Sequence, residues 1–464
     1  MTPDLTVYSK HTVGKRIAAN TGLMMGSKAL AVVLGLGSIL IATKSLNVAE
    51  LGIILFLHAY MLFFSEVTAC QSWQSLIRFG TDDLKNKDAK RLSKLIQFGI
   101  KIDALSAVFG FLFSIAIFSG IVWVTQAFPD FFSSSEAINI PELRKLAAFY
   151  CILILFRQRG VGVGVFRLFD KFHILAMYGL VMPTARFIGV LIALYSEAGF
   201  TGFLLAWFFG SFTAYFFLPI MTFLELKKRR LMGLVFKAKS SLLRPRKGLW
   251  PFMIKSNIDS TLAAATLHLP ALMVMGVFGS AWVAIYRIAE EVAKLLSEGF
   301  KLFDQVIYPE LAKMVSLGEA DKIWRLVKRT AMILLSFGLF VAVLVQIGGP
   351  SLLGLIFSVD YQQAAPLTSL LVLAAAITGI AAPLYPVLYA ADRPERAIYA
   401  RGAGVLVYIA AFFIFSVTVG KMAPGWAAIL GNATSVIILV FLAKKTLKKK
   451  VREQSRQSLQ EENI

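Results

Sequence analysis

The chain has 464 residues, 57% of them apolar, and a mean hydropathy of +0.71, yet it carries 48 Lys and Arg against 27 Asp and Glu. A soluble domain is usually about 45–50% apolar even with Gly counted, so a soluble enzyme is excluded. Grease and positive charge coexist when the grease faces lipid and the charge sits at the membrane edge, which also argues against a nucleic-acid partner.

Runs of about 20 apolar residues mark transmembrane helices. In chain order the sequence predicts twelve: 18–42, 48–70, 95–124, 143–166, 172–195, 201–224, 250–276, 281–306, 327–347, 366–390, 398–419 and 423–443. The expected fold class is therefore an all-α polytopic membrane protein. The connections on one side hold 35 Lys and Arg, those on the other side 2. By the positive-inside rule this places both termini in the cytoplasm. The clusters Lys227–Arg230 and Lys444–Lys450 read as topology signals and contacts to anionic lipids. The outside loops near 125–142 and 348–365 are too short to build a domain. The segment Ala89–Ile96 aligns with Ala320–Val327, half a chain apart. That repeat suggests two six-helix lobes: 1–224 and 250–443, joined by a basic linker 225–249 and followed by a basic tail 444–464.

Cys70 and Cys151 lie in apolar stretches and read as core residues, not as a disulfide or metal pair. The four histidines have no metal spacing, and there is no G-x-x-x-x-G-K-[ST] loop. No metal, resident cofactor or ATPase activity is expected. The polar stretch 1–16 lacks the pattern of a cleavable signal.

Charges within spans carry the functional information, because each costs at least about 2.5–3.5 kcal/mol near the bilayer centre. Lys255 and Asp259 are one helical turn apart and are expected to neutralise each other. Arg287, Glu291, Lys294, Glu298, Lys301 and Asp304 form an alternating ladder down one face of the eighth helix, which would make one wall of a cavity wet. In the first half, Lys28, Arg157, Arg159 and Arg186 lie deep, with Asp103 as the deep acid. Residues 157 and 159 are about 200° apart on a helix, so only one of them is expected to face a cavity. The excess of guanidinium groups points to an anionic ligand such as a phosphate. Candidate headgroup-binding residues are thus Lys28, Arg157, Arg159, Arg186, Lys255 and Arg287. Gly22/Gly26 and Gly160/Gly164 read as close helix packing. Pro383 and Pro386 mark the tenth helix as a bending element.

Four segments carry a family resemblance. Ile356–Ala364 resembles an aliphatic-Phe-Gly-x-acid-Tyr-x-x-Ala segment, with Ser358 for the Gly. Leu46–Gly52 resembles a Leu-Gly-x-x-x-aromatic-Gly turn, with Asn47 for the first Gly. Ala390–Arg393 resembles the same family's Ala-x-Gly-Arg exit of the tenth helix, and Gly164–Phe172 its loop between the fourth and fifth helices. Together they resemble the polysaccharide and O-antigen flippases (Wzx-like) of the multidrug/oligosaccharidyl-lipid/polysaccharide exporter superfamily. The resemblance implies a two-lobed, non-enzymatic transporter in the bacterial inner membrane. It implies a polyprenyl-pyrophosphate-linked oligosaccharide as cargo, flipped outward for lipopolysaccharide, capsule or exopolysaccharide assembly alongside other glycan-assembly proteins. Proton or sodium coupling belongs to the family, and Asp103 and Asp259 are the acids available for it. The rival readings are an ion-coupled multidrug antiporter of the same fold and a membrane polysaccharide polymerase or ligase.

Overall fold

A computed structural model describes residues 3–6, 13–127, 140–295, 314, 320–381, 384, 388 and 395–461. Among these the regular structure is entirely helical. Eleven helical segments are long and apolar enough to cross a membrane. The expected span 281–306 is described only to residue 295, and Pro383 and Pro386 lie outside the described residues. So do Glu298, Lys301, Asp304 and the segment 390–393.

The helices are α1 (Val13–Ser45), α2 (Val48–Thr68), α3 (Ser72–Lys85), α4 (Ala89–Ala127), α5 (Ile140–Cys151), α6 (Leu153–Phe156), α7 (Gly160–Leu168), α8 (Phe172–Tyr195), α9 (Gly199–Lys228), α10 (Met232–Lys237), α11 (Leu249–Phe278), α12 (residues 280–295), α13 (Ala320–Ile356), α14 (Ala365–Gly379), α15 (Glu395–Thr418) and α16 (Ala423–Glu461). A 3-10 turn, Val359–Ala364, leads into α14. The repeated segments open matching helices: α4 starts at Ala89 and α13 at Ala320.

Packing divides the chain into two compact units, Met1–Leu272 and Met273–Ile464, so the division falls inside α11. In the first unit α8 packs against α1 and α9, and α3 packs against α7. Asn20 Nδ2 donates to Asp170 Oδ1 at 3.1 Å, and a Cβ on Gly37 would touch the Phe187 ring. Both pairs are 150 residues apart, so α1 and α8 run parallel in that register, with Lys28 level with Tyr178. Small residues permit close approach: Gly210 lies against the backbone of Arg186, and Gly189 against Ala206. Gly160 and Gly164 are packed in the same way, but a Cβ on Gly22 or Gly26 would meet open space. The expectation of close packing therefore fails for the first pair, which sits on an exposed part of α1.

The linker 225–249 is folded onto the first unit. Leu226, Leu231, Val235 and Leu249 join Leu92, Ile96, Val165 and Phe169 in one apolar cluster. Ser240 N–H and Oγ–H donate to Gln97 Oε1, and Gln97 Nε2 donates to Val235 O at 2.9 Å. Lys101 Nζ donates to Ser240 O at 2.8 Å, so Lys101 reaches the linker rather than the bilayer interior. Arg229 is buried, ion-paired with Glu225 at 2.6 Å, and stacked 3.7 Å above the Phe169 ring. It also donates to Thr6 O at 2.8 Å, which fixes the chain start beside the end of α9.

In the second unit α14 packs against α13 and α16, and α15 against α16. Gly404 and Gly431 bring α15 and α16 together, each Cα beside the other's carbonyl oxygen. The two departures from the family motifs have local reasons. Asn47 is the N-cap of α2, accepting from Glu50 N–H at 2.9 Å while Glu50 Oε2 accepts from Asn47 N–H. Ser358 has extended backbone, which requires no Gly.

Candidate functional site: a pocket between two broken helices

In the first unit one span turns sharply where it ends, and another is interrupted at mid-length. The expected helix 48–70 ends at Thr68 and resumes as α3 after Gln71, whose φ of 50° is left-handed. A non-Gly residue there stores backbone strain, a feature that clusters at functional sites. The expected helix 143–166 is broken into α5, α6 and α7. At Arg157 the ψ of 47° leaves the helical region, and Gln158 and Arg159 N–H groups turn back to Phe156 O and Arg157 O. Each break frees backbone groups that must find partners.

Those partners build the site. Asn257 of α11 donates from Nδ2 to Ala69 O and, at 3.3 Å, to Val67 O, covering carbonyls that the first break exposes. Asp103 of α4 meets the second break, where its Oδ2 accepts from Val161 N–H at 2.9 Å, in the first turn of α7. A carboxylate there is stabilised by the helix dipole and the unpaired N–H groups. Gly160 makes this approach possible, because its Cα lies against Ser72 and both Asp103 carboxylate oxygens.

The second break also reorients the arginines. Arg157 Nη2 and Arg159 Nη2 both donate to Oε1 of Glu66, Arg157 at 2.5 Å. Arg157 Nη1 donates to Ser65 Oγ at 2.7 Å, and its guanidinium lies 5.9 Å from the Tyr215 ring centroid. The expectation that only one of the two arginines can face a cavity is thus corrected: 200° separation holds within a helix, and the chain is not helical here. Arg157 is nearly enclosed at 7% side-chain exposure, whereas Arg159 is open at 38%.

Arg157, Arg159, Asp103 and Gly160 line a small open pocket, together with Ser65, Thr68, Gln71, Trp73 and Ser106. Trp73 Nε1 donates to Gln71 Oε1 at 2.8 Å, and Arg167 stacks 4.4 Å from the Trp73 ring. With Asp103 matched to the start of α7, two guanidinium groups share one carboxylate. That geometry is suited to an oxyanion with more than one charge.

Other candidates lie elsewhere. Arg186 Nη2 sits 3.3 Å from His58 Nε2 and 5.0 Å from the Trp207 ring, while His58 Nδ1 is 3.1 Å from Tyr150 Oη. His58 of α2 thus bridges α5 and α8. Lys28 is exposed on α1, Lys255 is exposed on α11, and Asp259 is half-buried one turn later. Arg287 is held by Glu290 at 2.6 Å, and Lys294 by Glu290 at 3.4 Å and Glu291 at 3.2 Å. The ladder is therefore corrected within its described part: Glu290 is the hub. Arg287 and Glu290 are about one-tenth exposed and do not make a wet wall.

Sequence reasoning did not place Glu66 beside the arginines. It missed Gln71, Asn257, Ser65 and Trp73. The polar run Arg157-Gln158-Arg159-Gly160 in mid-span was the available signal for a break.

No protein-family profile matches the chain. It is 25% identical over 362 residues to "Inner membrane protein YghQ" of Escherichia coli (strain K12), covering 75% of this chain and 95% of that protein. Its fold is similar to that of a lipid II flippase MurJ in the inward closed conformation. The TM-score is 0.64 at 14% identity, over 92% of this chain and 90% of that one. It is equally similar to an inward-facing multidrug resistance MATE transporter of the MOP superfamily: TM-score 0.65, 12% identity, 93% and 98% coverage. The chain is a multi-pass protein of the bacterial inner membrane whose fold is that of these two solved proteins.

Proposed function

We propose that this protein is a flippase that moves a polyprenyl-diphosphate-linked oligosaccharide from the cytoplasmic to the outer leaflet for cell-surface polysaccharide assembly. The observation that carries this reading is the convergence of Arg157 and Arg159 on one carboxylate oxygen beside an open pocket that both line. Paired guanidinium groups bind phosphate oxygens in a geometry that Lys does not reproduce. Lys28 and Arg186, both in the same compact unit, supply further positive charge for an anionic headgroup. A lipid-linked cargo fits a fold also used by a protein described as a lipid II flippase.

On this reading the protein works without chemistry of its own, by alternating access of two six-helix lobes with both termini in the cytoplasm. A proton or sodium gradient is the energy source, with Asp103 or Asp259 as the acid. Its partners are the lipid-linked glycan, membrane lipids and other glycan-assembly proteins. The test is surface-glycan assembly in cells carrying Arg159→Ala, Arg157→Ala, Lys28→Ala or Arg186→Ala, with membrane insertion checked in parallel. Loss of glycan with normal insertion is expected, most completely for Arg159→Ala. Normal glycan in all four variants would sink the reading.

A second reading, an ion-coupled multidrug antiporter, draws on the equal similarity to a MATE transporter and on two acids, Asp103, which lines the pocket, and Glu66, which pairs with its arginines. A cationic cargo would need those acids open to it. Instead Glu66 is covered by two arginines and Asp103 by the start of α7. Drug susceptibility that is unchanged on deletion counts against this reading.

A further inference from the structure

Glu66 holds the position that the proposed cargo needs. Its Oε1 accepts from both guanidinium groups, so it already makes the contacts expected of a phosphate oxygen. The local chain is built for this meeting: the helix is interrupted at 157–159, bringing two side chains to one point that a continuous helix would hold apart. Both guanidinium groups lean on one carboxylate oxygen, and Arg159 is open to the pocket, which Asp103 also lines. A diphosphate, with more charge and more acceptor oxygens, satisfies the pair more fully than one carboxylate does.

We propose that Glu66 is an internal competitor for the anion site: it occupies Arg157 and Arg159 in the unloaded protein and is displaced by a diphosphate group. The inference rests on the headgroup reading above and adds a regulatory step to it. Glu66 lies in the last turn of α2, and its carbonyl accepts from Ala69 N–H at 3.3 Å at the edge of the first break. Asn257 of α11 holds the carbonyls of Val67 and Ala69 on either side of that point. Displacement of the Glu66 side chain therefore loosens α2 where it meets α11. Loading is thereby linked to movement of a helix that the cargo need not touch.

Competition makes a prediction opposite to that of a purely structural ion pair. If Glu66 only neutralised the arginines, its removal would damage the site and weaken anion binding. If it competes, Glu66→Gln binds diphosphate more tightly, by about tenfold, within the 5–150-fold range of typical coupling between sites. The experiment uses the full chain in detergent, with farnesyl diphosphate and inorganic pyrophosphate as probes, read by scanning fluorimetry and equilibrium binding. Glu66→Gln is expected to melt lower than wild type without probe, to regain that loss with either probe, and to bind both more tightly. Glu66→Asp, which withdraws the carboxylate by one methylene, is expected to show a smaller gain and serves if the Gln variant does not fold. A gain confined to farnesyl diphosphate assigns the contact to the lipid chain and overturns the proposal. So does equal or weaker binding by both Glu66 variants; if Arg159→Ala then abolishes wild-type binding, the headgroup reading survives. Absence of binding by every variant overturns both.

Discussion

Replacing Gly160 with Ala tests whether the second break is as tightly built as the geometry states. A Cβ at this position would fall on Ser72 Oγ and lie 2.6 and 2.8 Å from the two Asp103 carboxylate oxygens. Asp103 cannot retreat without lengthening its 2.9 Å hydrogen bond from Val161 N–H. Ser72 has little room to yield, because it follows directly on the left-handed Gln71. Overpacking costs about 1–3 kcal/mol, and weakening a hydrogen bond to a charged group adds about 1.5–3 kcal/mol. A loss of about 3 kcal/mol is expected. Gly22 and Gly26 of α1 supply the contrast, since a Cβ there meets nothing within 4 Å. Ala at either should gain about 0.5–1 kcal/mol from the smaller entropy cost of ordering Ala in a helix. At roughly 2–4 °C per kcal/mol, the two classes separate by about 8–15 °C in apparent melting temperature, read by scanning fluorimetry of purified protein. A Gly160→Ala protein that melts with wild type, or with Gly22→Ala, would refute the claimed close approach of Asp103, Ser72 and α7.

Three further outcomes follow from named contacts. Asn257→Ala removes the side-chain donor to Ala69 O and leaves Val67 O only the 3.5 Å contact from Thr261 Oγ, an expected loss of about 1–3 kcal/mol in the same melting assay; Asn257→Asp, which sets a carboxylate against carbonyl oxygens, should be worse. Arg229→Ala leaves Glu225 buried without its partner, with an expected loss of about 3–5 kcal/mol; Arg229→Lys should recover only part, because Lys cannot reproduce the fork that reaches Glu225 and Thr6 together. Hydrogen bonds from Thr6 Oγ–H and N–H hold the Asp4 carboxyl below the usual carboxylate range. The sign follows: the tether is present above the unfolded value near 3.8 and is lost as pH falls below it. Proteolytic cleavage of the first residues should therefore rise below about pH 4 in wild type, and already be fast at neutral pH in Asp4→Ala.

Much of the fold was legible because lipid enforces simple rules. Apolar length places α8 at 172–195 from sequence and structure alike, and the basic loops punctuate the spans. The site was less legible, for a physical reason. Helical periodicity assigns side-chain directions only while the helix continues, and the site exists where two helices stop. Arg157 and Arg159 were identified as important but assigned to opposite faces, and Glu66 was left apart from them. The apolar run 48–70 ends close to the end of α2 at Thr68, but no spacing rule reports the left-handed turn at Gln71, since residues 69–71 carry neither Gly nor Pro. The Asn257 contacts join segments about 190 residues apart and leave no trace in local pattern. Conversely, Lys101 falls within the expected span 95–124 but reaches the folded linker, because α4 extends beyond the apolar run to Ala89.

The central claim is that Arg157 and Arg159 take the diphosphate of a lipid-linked glycan. Transport by purified protein in liposomes tests it most directly, comparing the same fluorescent oligosaccharide on a polyprenyl diphosphate and on a polyprenyl monophosphate. The account predicts that the diphosphate-linked glycan crosses, that the monophosphate-linked one crosses at least about tenfold more slowly (roughly 1.4 kcal/mol less binding), and that Arg159→Ala removes the difference. Equal transport of both glycans, or full transport by Arg159→Ala, would contradict it.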